Sequence, residues 1–145
     1  MSILKVKIKK IHPDSIVPQY SKPGDAGMDL TAVSKEWDDY GNVVYGTGLA
    51  FEIPDGYVGL LFPRSSNAKK ELLLSNSVGV LDSKFRGEVL FKFKPVCPAL
   101  PEDTYKIGDR IGQIIILPYP QIEFEEVTEL SNTERGTGGF GSTGM

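Results

Sequence analysis

The chain ends in a glycine-rich segment whose residue types suit a phosphorylated, aromatic ligand. Between Arg135 and Gly144, glycines leave backbone N–H groups free to close around an anion, and Arg135 adds a charged donor fork. Phe140 offers a flat face on which a base can stack. Because Gly/Ser/Thr-rich termini are also typical of disordered tails, composition alone leaves a nucleotide lid and a disordered tail both open.

A second group of candidate residues precedes a predicted short helix over residues 67–74. Arg64, Ser65 and Ser66 place a guanidinium and two hydroxyls beside the N-terminus of that helix, and all of these groups suit phosphate oxygens. A Ser-Ser pair is also an ordinary helix cap, so the motif by itself indicates phosphate binding only weakly.

Two further motifs have a structural interpretation when taken alone. Residues 76–88 are predicted to form a hairpin with Asp82 at the end of one strand, and aspartate is common in turns for its turn chemistry. Arg110 and Gln113 stand at the start of an apolar strand, where pairing within the fold is the simpler interpretation.

Composition predicts one globular domain without a polyanionic partner. The chain has 145 residues, 40% hydrophobic and 24% charged, with a net charge of −3 and no long basic stretch. These values argue against a nucleic-acid polymer or an anionic membrane as partner. Cys97 and His12 are the only residues of their types, so packing or loop roles are expected for both. With no signal core and no membrane-length run, we expect a cytoplasmic protein, or one inside a host cell if the source is a virus or phage.

Short alternating β-rich runs predict an all-β protein. Leu4, Val6 and Ile8 alternate with lysines, and the other runs cover residues 43–45, 49–53, 57–62, 89–93, 111–117 and 122–127. Sixteen glycines and ten prolines interrupt the chain too often for long helices. We therefore predict a jelly-roll-like β-sandwich or distorted barrel with one short helix. Its core covers residues 1–127, and a flexible arm covers residues 128–145.

Taken together, the motifs resemble those of a known enzyme family. Segments 26–30, 63–66, 76–88, 108–113 and 135–144 occur in the order and approximate spacing of the five motifs of the trimeric dUTPases, the deoxyuridine triphosphate nucleotidohydrolases. The resemblance implies a jelly-roll homotrimer that uses Mg²⁺ to hydrolyse dUTP to dUMP and pyrophosphate. It also implies that each active site is built from all three chains, with the C-terminal arm crossing to a neighbour.

The resemblance assigns a role to each matching residue. Asp82 is similar to the general base that activates the attacking water, and Asp29 to the aspartate that supports Mg²⁺ through coordinated water. The phosphate-holding set is Arg64, Ser65, Ser66 and Gln113. The segment that reads uracil and packs on the deoxyribose contains Asn76, Gly79, Val80, Leu81, Phe85 and Leu90. The arm residues that clamp the γ-phosphate and stack on the base are Arg135, Phe140, Gly141, Ser142 and Thr143.

Three positions depart from the family pattern. Phe85 stands where tyrosine is usual, so the ring is kept and its hydroxyl is lost. Gly112 replaces a common alanine, and the pair Ser66 and Asn67 replaces the usual glycine and small apolar residue. The first change bears on sugar selectivity, and we expect the others to be local packing changes.

Two rival functions remain to be weighed. The dCTP deaminases resemble this chain in fold and in the Arg-Ser-Ser motif, but Lys92 stands where their acid/base glutamate is required. One cysteine and one histidine cannot build a zinc deaminase site. A dUTPase-like trimer with a regulatory, protein-binding role is the other alternative, and the presence of Asp82, Gln113 and Arg135 favours catalysis over it. Residues 34–48 have no assigned role.

Overall fold

The protein is a two-sheet antiparallel sandwich in the computed structural model, which describes residues 2–96 and 103–141. Ten strands lie in this part of the chain. They are β1 Lys7–Lys10, β2 Met28–Thr31, β3 Ser34–Trp37, β4 Val43–Gly46, β5 Leu49–Glu52, β6 Tyr57–Phe62, β7 Leu72–Leu74, β8 Gly79–Leu81, β9 Leu90–Pro95 and β10 Arg110–Pro118. A 3₁₀ helix covers Ser65–Lys69.

Two four-stranded sheets enclose the core. One sheet has the order β2-β10-β6-β8, which we call the site sheet, and the other has the order β3-β4-β9-β7. Strands β1 and β5 form a separate antiparallel pair. Alternate residues of both sheets point inward, so Leu30 and Ile114 from the site sheet join Tyr45, Phe91 and Phe93 in one buried cluster. The all-β sandwich predicted from the sequence is confirmed.

The helix predicted over residues 67–74 is wrong in position and length. The 3₁₀ helix ends at Lys69, and Lys70 is already extended, with φ −115° and ψ 152°. Leu72 and Leu74 are both buried and pair with β9, so residues 72–74 form a strand instead. Helix propensity in Ala68-Lys69-Lys70 is overridden here because burying two alternate leucines requires a period of two.

A predicted hairpin and a predicted strand also differ from the structure. Residues 76–88 do not form a hairpin, because β8 pairs with β6 in the site sheet whereas β9 pairs with β4 and β7 in the other sheet. Residues 122–127 are not a strand, and Phe124 is 92% exposed. Their alternating pattern has no partner strand within the described chain, since the last strand ends at Pro118. No helix of residues 2–96 and 103–141 is long and apolar enough to cross a membrane.

Candidate active site

The outer face of the site sheet carries two of the predicted site residues side by side. Asp29 on β2 lies directly opposite Gln113 on β10, which in turn lies opposite Phe62 at the end of β6. Because their neighbours Leu30 and Ile114 are fully buried, strand alternation turns Asp29 and Gln113 outward. A register shift between Arg110 and Gly112 brings Arg110 to the same edge.

Gln113 joins the Pro63 segment to the Gly27 segment. Its Nε2 donates to the backbone oxygen of Pro63 over 3.0 Å. Its side chain also lies against Gly27 so closely that a Cβ on residue 27 would overlap Oε1 of Gln113. A side chain at position 27 would displace the amide of Gln113, so the glycine leaves room for this amide beside the phosphate-loop motif.

Asp29 is held between two arginines. Nε of Arg64 lies 3.3 Å from Oδ1 of Asp29, and Nη1 of Arg110 lies 3.4 Å from Oδ2. Arg64 also donates through Nη1 to Oγ of Ser66 over 3.3 Å. Two cations against one carboxylate leave this edge with a net positive charge, which favours an anionic ligand. From the sequence, we interpreted Arg110 as a residue that pairs within the fold. Its position next to the Gly108-Asp109 turn is the sequence feature that could have indicated a role in the site.

Two clefts flank this ion cluster. One, of about 460 Å³, is lined by Arg64, Ser66, Lys69, Lys70, Tyr105, Gly108, Asp109 and Arg110. The other, of about 280 Å³, is lined by Gln19, Ser21, Asp25, Ala26, Gly27, Asp29 and Gln113. The predicted phosphate-holding residues Arg64, Ser66 and Gln113 thus border open space, and Ser65 beside them is exposed.

The acidic residues of this region do not form a metal cage. Within residues 2–96 and 103–141, no three His, Cys, Asp or Glu side chains come together as ligands. Asp25 and Asp29 line one cleft, and both oxygens of Asp29 are already paired with arginines. Such a donor set fits Mg²⁺ that keeps its waters and takes its direct ligands from a bound triphosphate.

Asp82 lies in a tight turn after β8. The backbone N–H of Phe85 donates to the oxygen of Asp82 over 3.1 Å, and the Asp82 side chain is exposed. Ser83 is tied to Asp55 by a hydrogen bond of 3.1 Å, which steadies the turn. The Phe85 ring lies across Gly87, where a Cβ would come within 2.7 Å of Cζ. The turn therefore presents a free carboxylate beside a half-exposed aromatic ring.

Within one chain, Asp82 lies far from the arginine edge. The register of β8 against β6 puts Asp82 level with Val58, six residues before Arg64. At about 3.3 Å per residue, this separates Asp82 and Arg64 by about 20 Å along the strand. The face between them carries an apolar band, formed by Val58, Leu60, Phe62, Val80, Ile115 and Leu117.

The predicted uracil-binding segment is divided between two sheets. Gly79, Val80 and Leu81 share β8, with Gly79 and Leu81 buried and Val80 exposed. Gly79 packs closely on β6, since a Cβ on it would come within 3.0 Å of two atoms of Leu61. Leu90 begins β9 of the opposite sheet, and Asn76 lies in the exposed turn before β8.

The arm is exposed in the single chain. Nε of Arg135 donates to the oxygen of Gly138 over 2.8 Å, and Phe140 is fully exposed with a positive φ of 52°. Gly141 follows with φ 80°. The predicted contacts of Ser142 and Thr143 lie outside the described residues, as does Cys97. Among the described arm residues, no hydrogen bond or ion pair joins Arg135, Phe140 or Gly141 to Asp82 or Arg64 of the same chain.

Two departures from the family pattern are explained by packing. A Cβ on Gly112 would overlap the ring of Phe91, so the alanine common in the family does not fit here. Asn67 is 9% exposed and accepts a hydrogen bond of 2.7 Å from Oη of Tyr105. Both are local packing changes, as expected from the sequence.

The fold and the site define a class of protein, an antiparallel β-sandwich that binds an anionic ligand at an arginine-bearing edge. Comparison with known proteins identifies the family. The dUTPase family model matches residues 14–144. The deoxyuridine 5'-triphosphate nucleotidohydrolases of Rhodococcus erythropolis and Thermobifida fusca are 41% and 40% identical over 143 residues, covering 97% of this chain and 87% and 79% of theirs. The dUTPase of Staphylococcus bacteriophage 80alpha, solved with dUPNHPP, superimposes with a TM-score of 0.81 and 26% identity, covering 97% of this chain and 99% of that one. The chain belongs to the dUTPase family.

Proposed function

We propose that this protein hydrolyses dUTP to dUMP and pyrophosphate. The observation that carries the proposal is the edge formed by Arg64, Asp29, Arg110 and Gln113, since it offers fixed donors of the kind that a triphosphate needs. The relatives are named as nucleotidohydrolases of deoxyuridine 5'-triphosphate. The five matching motifs support the same substrate for this chain.

Asp82 acts as the general base. It takes a proton from a water molecule, whose oxygen forms a bond to the α-phosphorus while the bond from that phosphorus to the bridging oxygen breaks. Pyrophosphate leaves, and dUMP keeps the new oxygen. Arg64, Ser65, Ser66 and Gln113 stabilise the negative charge on the transferring phosphoryl group. The exposure of Asp82 in a steady turn supports this role.

Base and sugar are selected by the segment around β8. Backbone groups of Gly79 to Leu81, together with Asn76 and Leu90, read the edge of uracil, and the Phe85 ring packs on the deoxyribose. The exposed Phe140 then stacks on the base while Arg135, Gly141, Ser142 and Thr143 close on the γ-phosphate. Phe140 is fully exposed within the part of its own chain that the structure describes, which supports a role for it elsewhere.

The active unit is a homotrimer with shared sites. Asp82 and the arginine edge of one chain are too far apart to act on one nucleotide, so another copy must complete each site. The apolar band between them supports this assembly, because an exposed apolar sheet face is stabilised by a covering partner. We propose a core of residues 1–127 and an exchanged arm of residues 128–145.

Mg²⁺ is the proposed cofactor, and it neutralises charge on the triphosphate when bound. Asp29 would hold this ion through coordinated water, and a carboxylate whose oxygens face two arginines and a cleft is consistent with that role. The expected location is the cytoplasm, or the interior of a host cell if the source is a phage or virus.

The test is a product assay against the four common dNTPs, dUTP and UTP in the presence of Mg²⁺. We expect pyrophosphate from dUTP alone, and no ammonia from dCTP because Lys92 is paired with Asp38 at 3.5 Å where a deaminase needs a carboxylate. Removing Mg²⁺ with a chelator should abolish turnover. Pyrophosphate from every dNTP, or ammonia from dCTP, would contradict the proposal.

Asp82→Asn tests the general base. Turnover should fall by about 10²–10⁴-fold while binding of a non-hydrolysable dUTP analogue is kept, since an amide cannot accept the proton. Asp55→Asn is the matched control, because it removes a carboxylate that contacts the same turn through Ser83 and Lys84. Equal losses in both variants would indicate a turn defect and not loss of a base.

A further inference from the structure

Two buried hydrogen bonds tie the helix after the phosphate loop, residues 64–66, to the loop before β10 and to β7 of the opposite sheet. Asn67, in the 3₁₀ helix that follows this loop, accepts from Oη of Tyr105 over 2.7 Å and donates through Nδ2 to the oxygen of Leu72 over 3.0 Å. Its backbone N–H donates to Arg64, and its backbone oxygen accepts from Lys70. All four polar groups of Asn67 are thus used to hold the short helix and the loop.

Tyr105 is itself rigidly placed. It is 3% exposed, and its ring packs edge-on against Tyr45 at 5.9 Å and at a tilt against Phe93 at 5.4 Å. Its backbone oxygen accepts from Oη of Tyr45 over 2.8 Å. Nζ of Lys70 lies 4.7 Å from the centre of the Tyr105 ring. The phenol therefore extends from the aromatic core to the underside of the phosphate loop.

The helix has little internal stabilisation. It is five residues long, and its N-cap residue, Arg64, makes no side-chain capping bond. An apolar residue at position 67 would fill the space without the desolvation cost of a buried amide. The amide instead provides a directional bond, which defines where Arg64 and Ser66 stand relative to Gln113.

We propose that Asn67 and Tyr105 are positioning residues that set the affinity of the phosphate loop for the triphosphate. The inference rests on the proposed function and adds two buried residues that lie beneath the phosphate loop. Loss of the bond lets the 3₁₀ helix shift, so the loop donors no longer converge on the phosphates, while the base and sugar contacts around β8 remain.

The experiment compares Tyr105→Phe, Asn67→Leu and the double variant with the parent. For each protein, binding of a non-hydrolysable dUTP analogue and of deoxyuridine, which has no phosphate, is measured together with the melting temperature. We expect Tyr105→Phe to weaken analogue binding by up to about tenfold, the effect of one lost hydrogen bond. Asn67→Leu, which also loses the bond to the oxygen of Leu72, should weaken it at least as much. Both should leave deoxyuridine binding within about twofold. A merely structural role would not change the ratio of the two affinities.

The double variant distinguishes the position of the phosphate loop from the stability of the whole protein. Replacing both polar partners with apolar groups leaves neither Oη nor Oδ1 unsatisfied, so the double variant should melt at a higher temperature than Asn67→Leu, in which Oη of Tyr105 is unpaired. Its ratio of analogue affinity to deoxyuridine affinity should stay as low as in the single variants. Thr47→Val is the matched control, because it removes a fully buried hydroxyl, which donates to the oxygen of Val89, and removes no hydrogen bond of Tyr105 or Asn67. It should lower the melting temperature without changing the ratio.

An unchanged ratio in Tyr105→Phe and Asn67→Leu would overturn the inference, as would recovery of the ratio in the double variant or an equal loss in Thr47→Val. These outcomes leave the proposed function intact when the parent hydrolyses dUTP. A parent that does not hydrolyse dUTP would overturn the proposed function, and the inference with it.

Discussion

Asp82 and Arg64 lie beside opposite ends of β6. Asp82 is level with Val58 near the start of the strand, and Arg64 comes two residues after Phe62, at which the strand ends. If another chain brings its Asp82 turn to this Arg64, two differently inactivated variants should complement each other. Co-expression of Asp82→Asn with Gln113→Ala should restore up to about a quarter of the sites, since a random mixture pairs an intact Asp82 with an intact Gln113 that often.

The matched control mixes Asp82→Asn with the double variant Asp82→Asn/Gln113→Ala, which cannot supply Asp82 from any chain. It should stay inactive. Native mass spectrometry reports whether mixed trimers form, and mixed trimers without recovered activity would refute shared sites.

Arg110 should contribute to nucleotide binding far more than to folding. Its ion pair with Asp29 is largely exposed, and such pairs stabilise a fold by only about 0–1 kcal/mol. Arg110→Ala should therefore raise KM for dUTP several-fold with little change in melting temperature. Lys7→Ala, which removes an exposed pair with Glu52, is the control and should change neither. A large fall in melting temperature for Arg110→Ala would assign Arg110 to the fold.

Removal of residues 135–145 should leave a folded core with little turnover. No strand lies beyond Pro118 in the described chain, and Phe140 packs against nothing in it. Circular dichroism and steady-state kinetics on the truncated protein measure the two effects, with Phe140→Ala separating base stacking from the phosphate clamp. Full kcat for dUTP after truncation would make the arm a disordered tail.

The Phe85 ring should exclude a ribose 2′-hydroxyl by its bulk. Phe85→Tyr adds at most one hydrogen bond of about 0.5–1.5 kcal/mol, so kcat/KM for dUTP should change only several-fold. Phe85→Ala should lower the ratio of kcat/KM for dUTP to that for UTP by opening space beside the sugar. If the alanine variant discriminates as well as the parent, sugar choice lies elsewhere in the segment.

Alkaline pH should destabilise the aromatic core. Burial raises the pKa of Tyr45 from its usual value of 10 to about 12, because the phenolate would lose its hydration. The folded state thus holds its proton more tightly than the unfolded state, so stability is fully present below about pH 10 and is lost between about pH 10 and 12. The urea concentration at the midpoint of unfolding, measured across this pH range, should fall less steeply for Tyr45→Phe than for the parent. Tyr119→Phe is the control, because the phenol of Tyr119 is more exposed, and it should resemble the parent.

The sequence alone identified most strands and the family. Short apolar runs rich in β-branched and aromatic residues mark β6 and β10, because such side chains fit the packed surface of a sheet, and those predictions agree with the structure. The five motifs named Asp29, Arg64 and Gln113 as members of one site, and the structure joins these three at one edge.

Only the tertiary structure decided which strand pairs with which, because pairing depends on long-range packing that local pattern does not encode. It placed β8 and β9 in different sheets, separated Asp82 from Arg64, and brought Arg110 to Asp29 across 81 residues of sequence. It likewise showed why Gly112 stands where alanine is common, since the Phe91 ring fills the space that a Cβ would occupy. Contacts of this kind form between residues far apart in the chain, and no local window contains both partners.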